Sequence, residues 1–286
     1  MGGYSELHWN SSDGLRLFAR DYASGDGEAR LPVVCLHGLT RNSKDFEDVA
    51  PAIAAKGRRV LALDMRGRGR SDRDANGANY HVGTYATDVA ALLDALGIAR
   101  AVFVGTSMGG LITMTLAMIA PARVAAALLN DVGPELHPAG IARIASYVGK
   151  SAAIETWEDA AAYARRTNGA AFPHYQDDDW ARFARRTFRE DEQGRAALDY
   201  DPAIASAVAP GALPDLWPLF TAFAAGRPLA LVRGGISDLI TADIAERMKG
   251  VAPHLDVTEV PGIGHAPMLT EPAARAAIDR FLEASP

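Results

Sequence analysis

An α/β fold on a mostly parallel sheet is predicted by three features of this 286-residue chain. Short apolar runs of strand type alternate with helical periodicity, the pattern of successive β-α-β units. The first two extended runs are joined through Ser12-Asp-Gly14, a hairpin signal that predicts an antiparallel edge. The alternation then stops between Gly133 and about Leu216 and resumes afterwards, which predicts a helical insertion inside one large core.

Taken in order, the hairpin strands lie near Leu7–Trp9 and at Arg16–Tyr22. Further apolar runs predict strands at Val33–His37, Arg59–Asp64, Ala101–Gly105, Arg123–Asn130, Pro228–Arg233 and Asp256–Val260. Helical patterns fall between them at Ser43–Ala55, Thr84–Leu96, Met108–Ile119, Thr241–Lys249 and Pro272–Ala284. The core is therefore read as 1–133 plus 217–286, with 134–216 as an inserted helical cap rich in aromatics and without a convincing strand. Inside it, Thr156 and Asp159 have capping-box spacing, and Asp177–Asp179 would favour a helix amino end. In the helix that follows, Trp180, Phe183, Thr187 and Phe188 share one face, leaving Arg182, Arg185, Arg186 and Arg189 for solvent.

Composition excludes several classes of function. With 49% hydrophobic and 22% charged residues, the chain is long enough for one large buried core. A formal charge of −6 argues against a nucleic-acid partner, which would need clustered Lys and Arg to displace counterions from phosphates. No run of about 18 apolar residues exists, and Met1–Asn10 lacks a basic flank and an apolar stretch. A cytoplasmic protein without a membrane partner is expected. The single cysteine, Cys35, lies within an apolar run and reads as a small buried hydrophobe. No cluster of Cys and His has metal-ligand spacing, so neither metal nor cofactor is expected.

The chemistry is concentrated in Gly105-Thr-Ser-Met-Gly109, which interrupts a strand and opens a helix. Glycines flanking Ser107 permit a sharp reversal that pushes the serine into strained dihedrals and exposes its hydroxyl. The string Arg66-Gly-Arg-Gly-Arg70 lacks the third glycine and the helix start of a phosphate cradle, and reads as a tight loop with solvated arginines. His37-Gly38-Leu39, Asp238 and His265 all follow strand ends, where open α/β sheets place their ligands.

Four motifs now stand together: His37-Gly38, the D-x-R-G-x-G-x-S turn from Asp64 to Ser71, the elbow from Gly105 to Gly109, and Gly264-His265. With them the chain resembles the α/β-hydrolase superfamily over nearly its whole length. The resemblance implies an eight-stranded sheet with helices on both faces and a cap over the active site.

A serine hydroxyl needs a base, which is assigned to His265, and the imidazole needs an acid to fix its tautomer. Asp238 is assigned that part, because Gly234-Gly-Ile-Ser-Asp238 has a turn-then-acid form; Asp131, at the end of an earlier strand, is its rival. The family geometry implies an oxyanion hole from the backbone N–H groups of Leu39 and Met108, with His37 and Gly38 shaping the loop. Arg41 and Asn42, just beyond, are the candidate contacts for a substrate carboxylate.

Serine rather than aspartate at the elbow speaks against the epoxide hydrolases and haloalkane dehalogenases of this fold. A carboxylesterase for small or medium acyl esters is the leading reading, with a small-molecule ester as the partner. Carbon–carbon bond hydrolases of ring-cleavage products are an alternative, although similar enzymes commonly carry an aromatic after the late histidine, where this chain has Ala266. Lactonase or perhydrolase chemistry is a further alternative, and a small-molecule receptor is the alternative without catalysis.

Overall fold

The computed structural model describes residues 3–25, 30–150, 154–208 and 215–286. The chain begins with β1 (Ser5–Asn10), β2 (Arg16–Tyr22), β3 (Val33–Leu36), α1 (Ala50–Ala54), β4 (Val60–Asp64), α2 (Val82–Ala95), β5 (Ala101–Thr106), α3 (Met108–Ile119) and β6 (Val124–Asn130). An insertion follows, with α4 (Pro138–Ala145), α5 (Trp157–Asn168), α6 (Asp177–Thr187), β7 (Phe188–Glu190) and β8 (Ala196–Leu198), after which α7 (Trp217–Ala224) packs back on the core. The chain then completes its sheet with β9 (Leu229–Gly234), α8 (Ala242–Val251), β10 (Asp256–Val260) and α9 (Pro272–Ala284).

Eight strands form one sheet in the order β1-β2-β4-β3-β5-β6-β9-β10. β1 and β2 pair antiparallel, as do β2 and β4, and every later pairing is parallel. Parallel strands buried on both faces need no polar alternation, and β3 illustrates it. Val34 and Leu36 face one apolar cluster with residues of α2, α3, α7 and α8, while Val33 and Cys35 face another with residues of α1 and α9. Cys35 is fully buried, and burial pushes its thiol up, away from the reactive thiolate.

After β3 the chain crosses to β4 on one side, whereas β5 leads to β6 on the other. The reversal leaves a crevice above the carboxyl ends of β3 and β5, where ligands bind in open α/β sheets. The loops that leave these two strands carry His37-Gly38 and Ser107.

Two elements differ from expectation. The single helix read at Ser43–Ala55 is a 3-10 turn at Ser43–Phe46 followed by α1, because Pro51 lacks an N–H and can sit only in the first turn of a helix. The insertion is not wholly helical either, since β7 and β8 pair antiparallel as a short hairpin. Its helix signals behave as read: Thr156 and Asp159 form a reciprocal capping box, and Asp177–Asp179 open α6. Parts of the predicted cap, 151–153 and 209–214, lie outside the described residues. Among the described residues no helix is long and apolar enough to cross a membrane.

Candidate active site

Ser107 stands between β5 and α3 with φ 50° and ψ −116°, a backbone conformation that serine adopts only under constraint. The constraint comes from the flanking glycines. A Cβ on Gly105 would come within 2.6 Å of the Gly109 and Gly110 backbone, and one on Gly109 would penetrate the Leu36 carbonyl. Ser107 occupies the N-cap of α3, yet its side chain caps nothing. Its hydroxyl turns instead to His265, with Oγ 2.9 Å from Nε2.

His265 follows β10, and its Nδ1 lies 2.8 Å from Oδ2 of Asp131. An imidazole protonated on Nδ1 satisfies both contacts, donating to Asp131 and accepting from Ser107. Asp131 directly follows β6, the immediate neighbour of β5, and is fully buried with φ 53°. Its Oδ1 accepts the Gly234 N–H at 2.8 Å, and its Oδ2 accepts the Ser237 hydroxyl at 2.6 Å. A buried carboxylate requires such partners, and here the fold supplies three.

Asp238, the acid favoured from the sequence, is not the one that reaches His265. Its carboxylate is held by Arg143 of α4 in a two-pronged ion pair of 2.5 and 2.7 Å. Burial acts to raise its pKa, but the Arg143 hydrogen bond and charge outweigh this and hold it below the usual aspartate value. The turn-then-acid string does contribute to the site through different atoms, the N–H of Gly234 and the hydroxyl of Ser237 on Asp131.

The loop after β3 approaches Ser107 closely: a Cβ on Gly38 would lie 3.7 Å from the Ser107 Cβ. His37 shapes this loop from beneath. Its Nδ1 lies 2.7 Å from the Gly38 carbonyl, its Nε2 accepts the Met65 N–H at 3.1 Å, and burial lowers its pKa to about 4, so the ring is neutral. Arg68 crosses below, donating to the Leu39 carbonyl at 3.0 Å and to Tyr85, with its guanidinium 3.6 Å from the Met108 sulfur. Met108 opens α3, where a first-turn N–H has no partner within the helix.

Arg66 and Arg68 are buried, contrary to the expected solvated arginines. Arg66 is enclosed by Asp13, Asp74 and Asp88, which supply the compensating charge, Asp13 and Asp88 from positions distant in sequence. Arg70 alone of the three is exposed. In the insertion, Arg186 likewise leaves solvent to pair with Glu47 and Asp48 of the core.

Ser107 and His265 open into a cavity of about 80 Å3, walled mainly by Leu39, Ile144, Tyr147, Phe172, Phe183 and Met268. Arg41 also lines it, with its charge already engaged: Asp45 takes Nε and one terminal nitrogen, Thr187 takes the other at 2.8 Å, and the guanidinium stacks 4.1 Å above Phe183. Asn42, the other expected substrate contact, does not line the cavity. It is buried outside the cavity, with its amide donating to the Arg186 carbonyl and Asp199 and its oxygen capping the 3-10 turn through Lys44 N–H.

Comparison with known proteins agrees with this architecture. The family model described as the alpha/beta hydrolase fold matches residues 32–272. The chain is 36% identical over 269 residues to the 3-hydroxybutyrate-oligomer hydrolase of Cupriavidus necator, covering 90% of each chain. It is 28% identical over 229 residues to the 2-(acetamidomethylene)succinate hydrolase of Mesorhizobium japonicum, covering 80% of this chain and 79% of that one. Among solved structures, an alpha/beta hydrolase from Novosphingobium aromaticivorans has a TM-score of 0.92 and 46% identity over 99% of both chains.

Proposed function

The chain belongs to the α/β-hydrolase family, and from that premise we propose that it hydrolyses carboxylic esters of small to medium acyl chain through an acyl-enzyme on Ser107. The observation that carries this reading is the unbroken path Ser107–His265–Asp131, with 2.9 and 2.8 Å contacts across residues far apart in sequence. His265 Nε2 takes the Ser107 proton as Oγ attacks the ester carbonyl, and Asp131 stabilises the imidazolium that forms. The carbonyl electrons move onto oxygen, which receives the backbone N–H groups of Leu39 and Met108. Collapse expels the alcohol, protonated by His265. Water then repeats the sequence, releasing the acid and restoring the serine.

The insertion, 134–216, acts as a cap whose Ile144, Tyr147, Phe172 and Phe183 form an apolar wall for the acyl chain. Ester cleavage is favoured by the Cupriavidus necator relative, because oligomers of 3-hydroxybutyrate are joined by carboxylic ester bonds. The test is p-nitrophenol release from acetyl, butyryl and octanoyl esters by wild type and Ser107→Ala. Rates that fall with acyl length and vanish in the variant support the reading; equal rates in both proteins would overturn it.

A further inference from the structure

A second, smaller cavity of about 20 Å3 lies next to the first, and Thr40, Arg41, Tyr147 and Asn168 line both. Two tyrosines of the insertion, Tyr163 and Tyr200, form part of its wall at 9% and 3% exposure. Their hydroxyls are buried and lie beside one another, and neither has a hydrogen-bond partner of good geometry among the described residues. A buried phenol normally finds one, but here Ala164, Phe188 and Leu198 offer only hydrocarbon, while Arg41, Thr167, Asn168 and Thr187 on the same wall spend their hydrogen bonds on other partners. Adjacent phenols can bond to one another through only one of their two protons, so the pair keeps a donor for an oxygen that accepts hydrogen bonds, beside a space sized for one small polar group.

We infer that this second cavity is a subsite for the far carbonyl of an ester that carries two, so that hydroxy-acid diesters and short oligoesters are turned over in preference to simple alkyl esters. The inference rests on the ester-hydrolase reading above. With the scissile ester at Ser107, the rest of the substrate passes the neck formed by Thr40, Arg41, Tyr147 and Asn168. An alkyl tail of equal length would also reach the subsite, but it would leave that donor unpaired and exclude any water that serves it. A pocket that hydrogen-bonds its ligand rejects an analogue lacking the polar group more strongly than an apolar pocket rejects a missing methylene. Arg41 adds little net attraction for a free carboxylate, because Asp45 already balances it.

The test uses the full chain and two matched pairs of esters, one for each side of the scissile bond. p-Nitrophenyl 3-acetoxybutyrate is compared with p-nitrophenyl hexanoate, and methyl 3-butyryloxybutyrate with 2-hexyl butyrate. In wild type at least one pair should show a preference in kcat/KM of about tenfold or more for the two-carbonyl ester, the scale of one buried hydrogen bond. The double variant Tyr163→Phe/Tyr200→Phe should bring that ratio to within about twofold. If the double variant folds poorly, Tyr200→Phe alone is read on the same ratios, which are independent of the fraction of active enzyme. Absence of any preference in wild type, or a preference that survives in the phenylalanine variants, overturns the subsite and makes the cavity a water-filled gap. Failure of folded wild type to hydrolyse any of the four esters overturns the ester-hydrolase reading and this inference with it.

Discussion

Replacing Asp131 with asparagine should lower kcat/KM by about three to four orders of magnitude, and the reason lies in which atoms the carboxylate meets. The Gly234 N–H is a fixed backbone donor 2.8 Å from Oδ1, so the amide oxygen must occupy that place. The amide nitrogen then falls at the position of Oδ2, facing Ser237 and His265. Ser237 can rotate to accept. His265 cannot donate to a donor, and it meets the new N–H only by moving its proton to Nε2, the nitrogen that faces Ser107. The base is lost while the fold is kept. Four decades correspond to about 5.5 kcal/mol of barrier, the scale known for wrong-tautomer variants of serine proteases. Asp238→Asn disturbs only a partly exposed pair with Arg143 and should stay within about threefold of wild type. Initial rates on p-nitrophenyl butyrate, with circular dichroism and melting curves to verify folding, separate the two variants. A severe loss in Asp238→Asn alongside an active Asp131→Asn would refute the assignment.

Three further outcomes follow from the same geometry. Gly109→Ala should destabilise the protein by more than ~3 kcal/mol in urea unfolding, because the added methyl penetrates the Leu36 carbonyl, whereas Gly250→Ala, in a helix with nothing within 4 Å, should stabilise it by about 0.5–1 kcal/mol. His37 is held neutral at a pKa of about 4, against 6.5 unperturbed, so the unfolded chain binds its proton first as the medium is acidified. Its stabilisation is fully present above about pH 6.5 and lost as pH falls toward about 4, on the order of 3 kcal/mol, and unfolding free energies measured across that window should slope less steeply in His37→Gln. Arg68→Gln should lower kcat at least about tenfold with little change in KM, since Arg68 braces the Leu39 carbonyl and packs on Met108 without lining the cavity; a rise in KM alone would contradict this.

Legibility in the sequence followed the range of the interactions. Arg16–Tyr22, Met108–Ile119, Asp256–Val260 and Pro272–Ala284 occupy the spans read from periodicity, because burial face by face is written into neighbouring residues. The tight elbow was equally local, needing only small residues around Ser107. The choice of acid was not. Asp131 and Asp238 both follow strands, and the one local cue, the turn before Asp238, pointed to the acid that does not reach His265; the decision rests on Arg143, 95 positions from Asp238, and on Ser237, 106 from Asp131. Arg66 and Arg68 resembled solvated loop arginines for the same reason, since Asp88 and Tyr85 reach them from α2. The β7–β8 hairpin has strands of only three residues, too short for an alternation to register, although the Asp191–Gly194 turn, with Gly194 at φ 77°, was a cue.

The insertion is fastened to the core along the strip that follows the His37–Leu39 loop. Asn42 and Lys44 hold the carbonyls of Arg185, Arg186 and Phe188 together with the Asp199 carboxylate, and Glu47 and Asp48 hold Arg186. On the other side, the Ala171 carbonyl accepts the N–H of Gly264, next to His265. On the proposed function, selectivity and turnover are consequently not separable inheritances in this chain. A substitution that reshapes the substrate wall is transmitted through those fastenings to the loop that would receive the oxyanion and to the neighbour of the base. A lineage of such proteins that changes its ester would have to retune its rate at the same time.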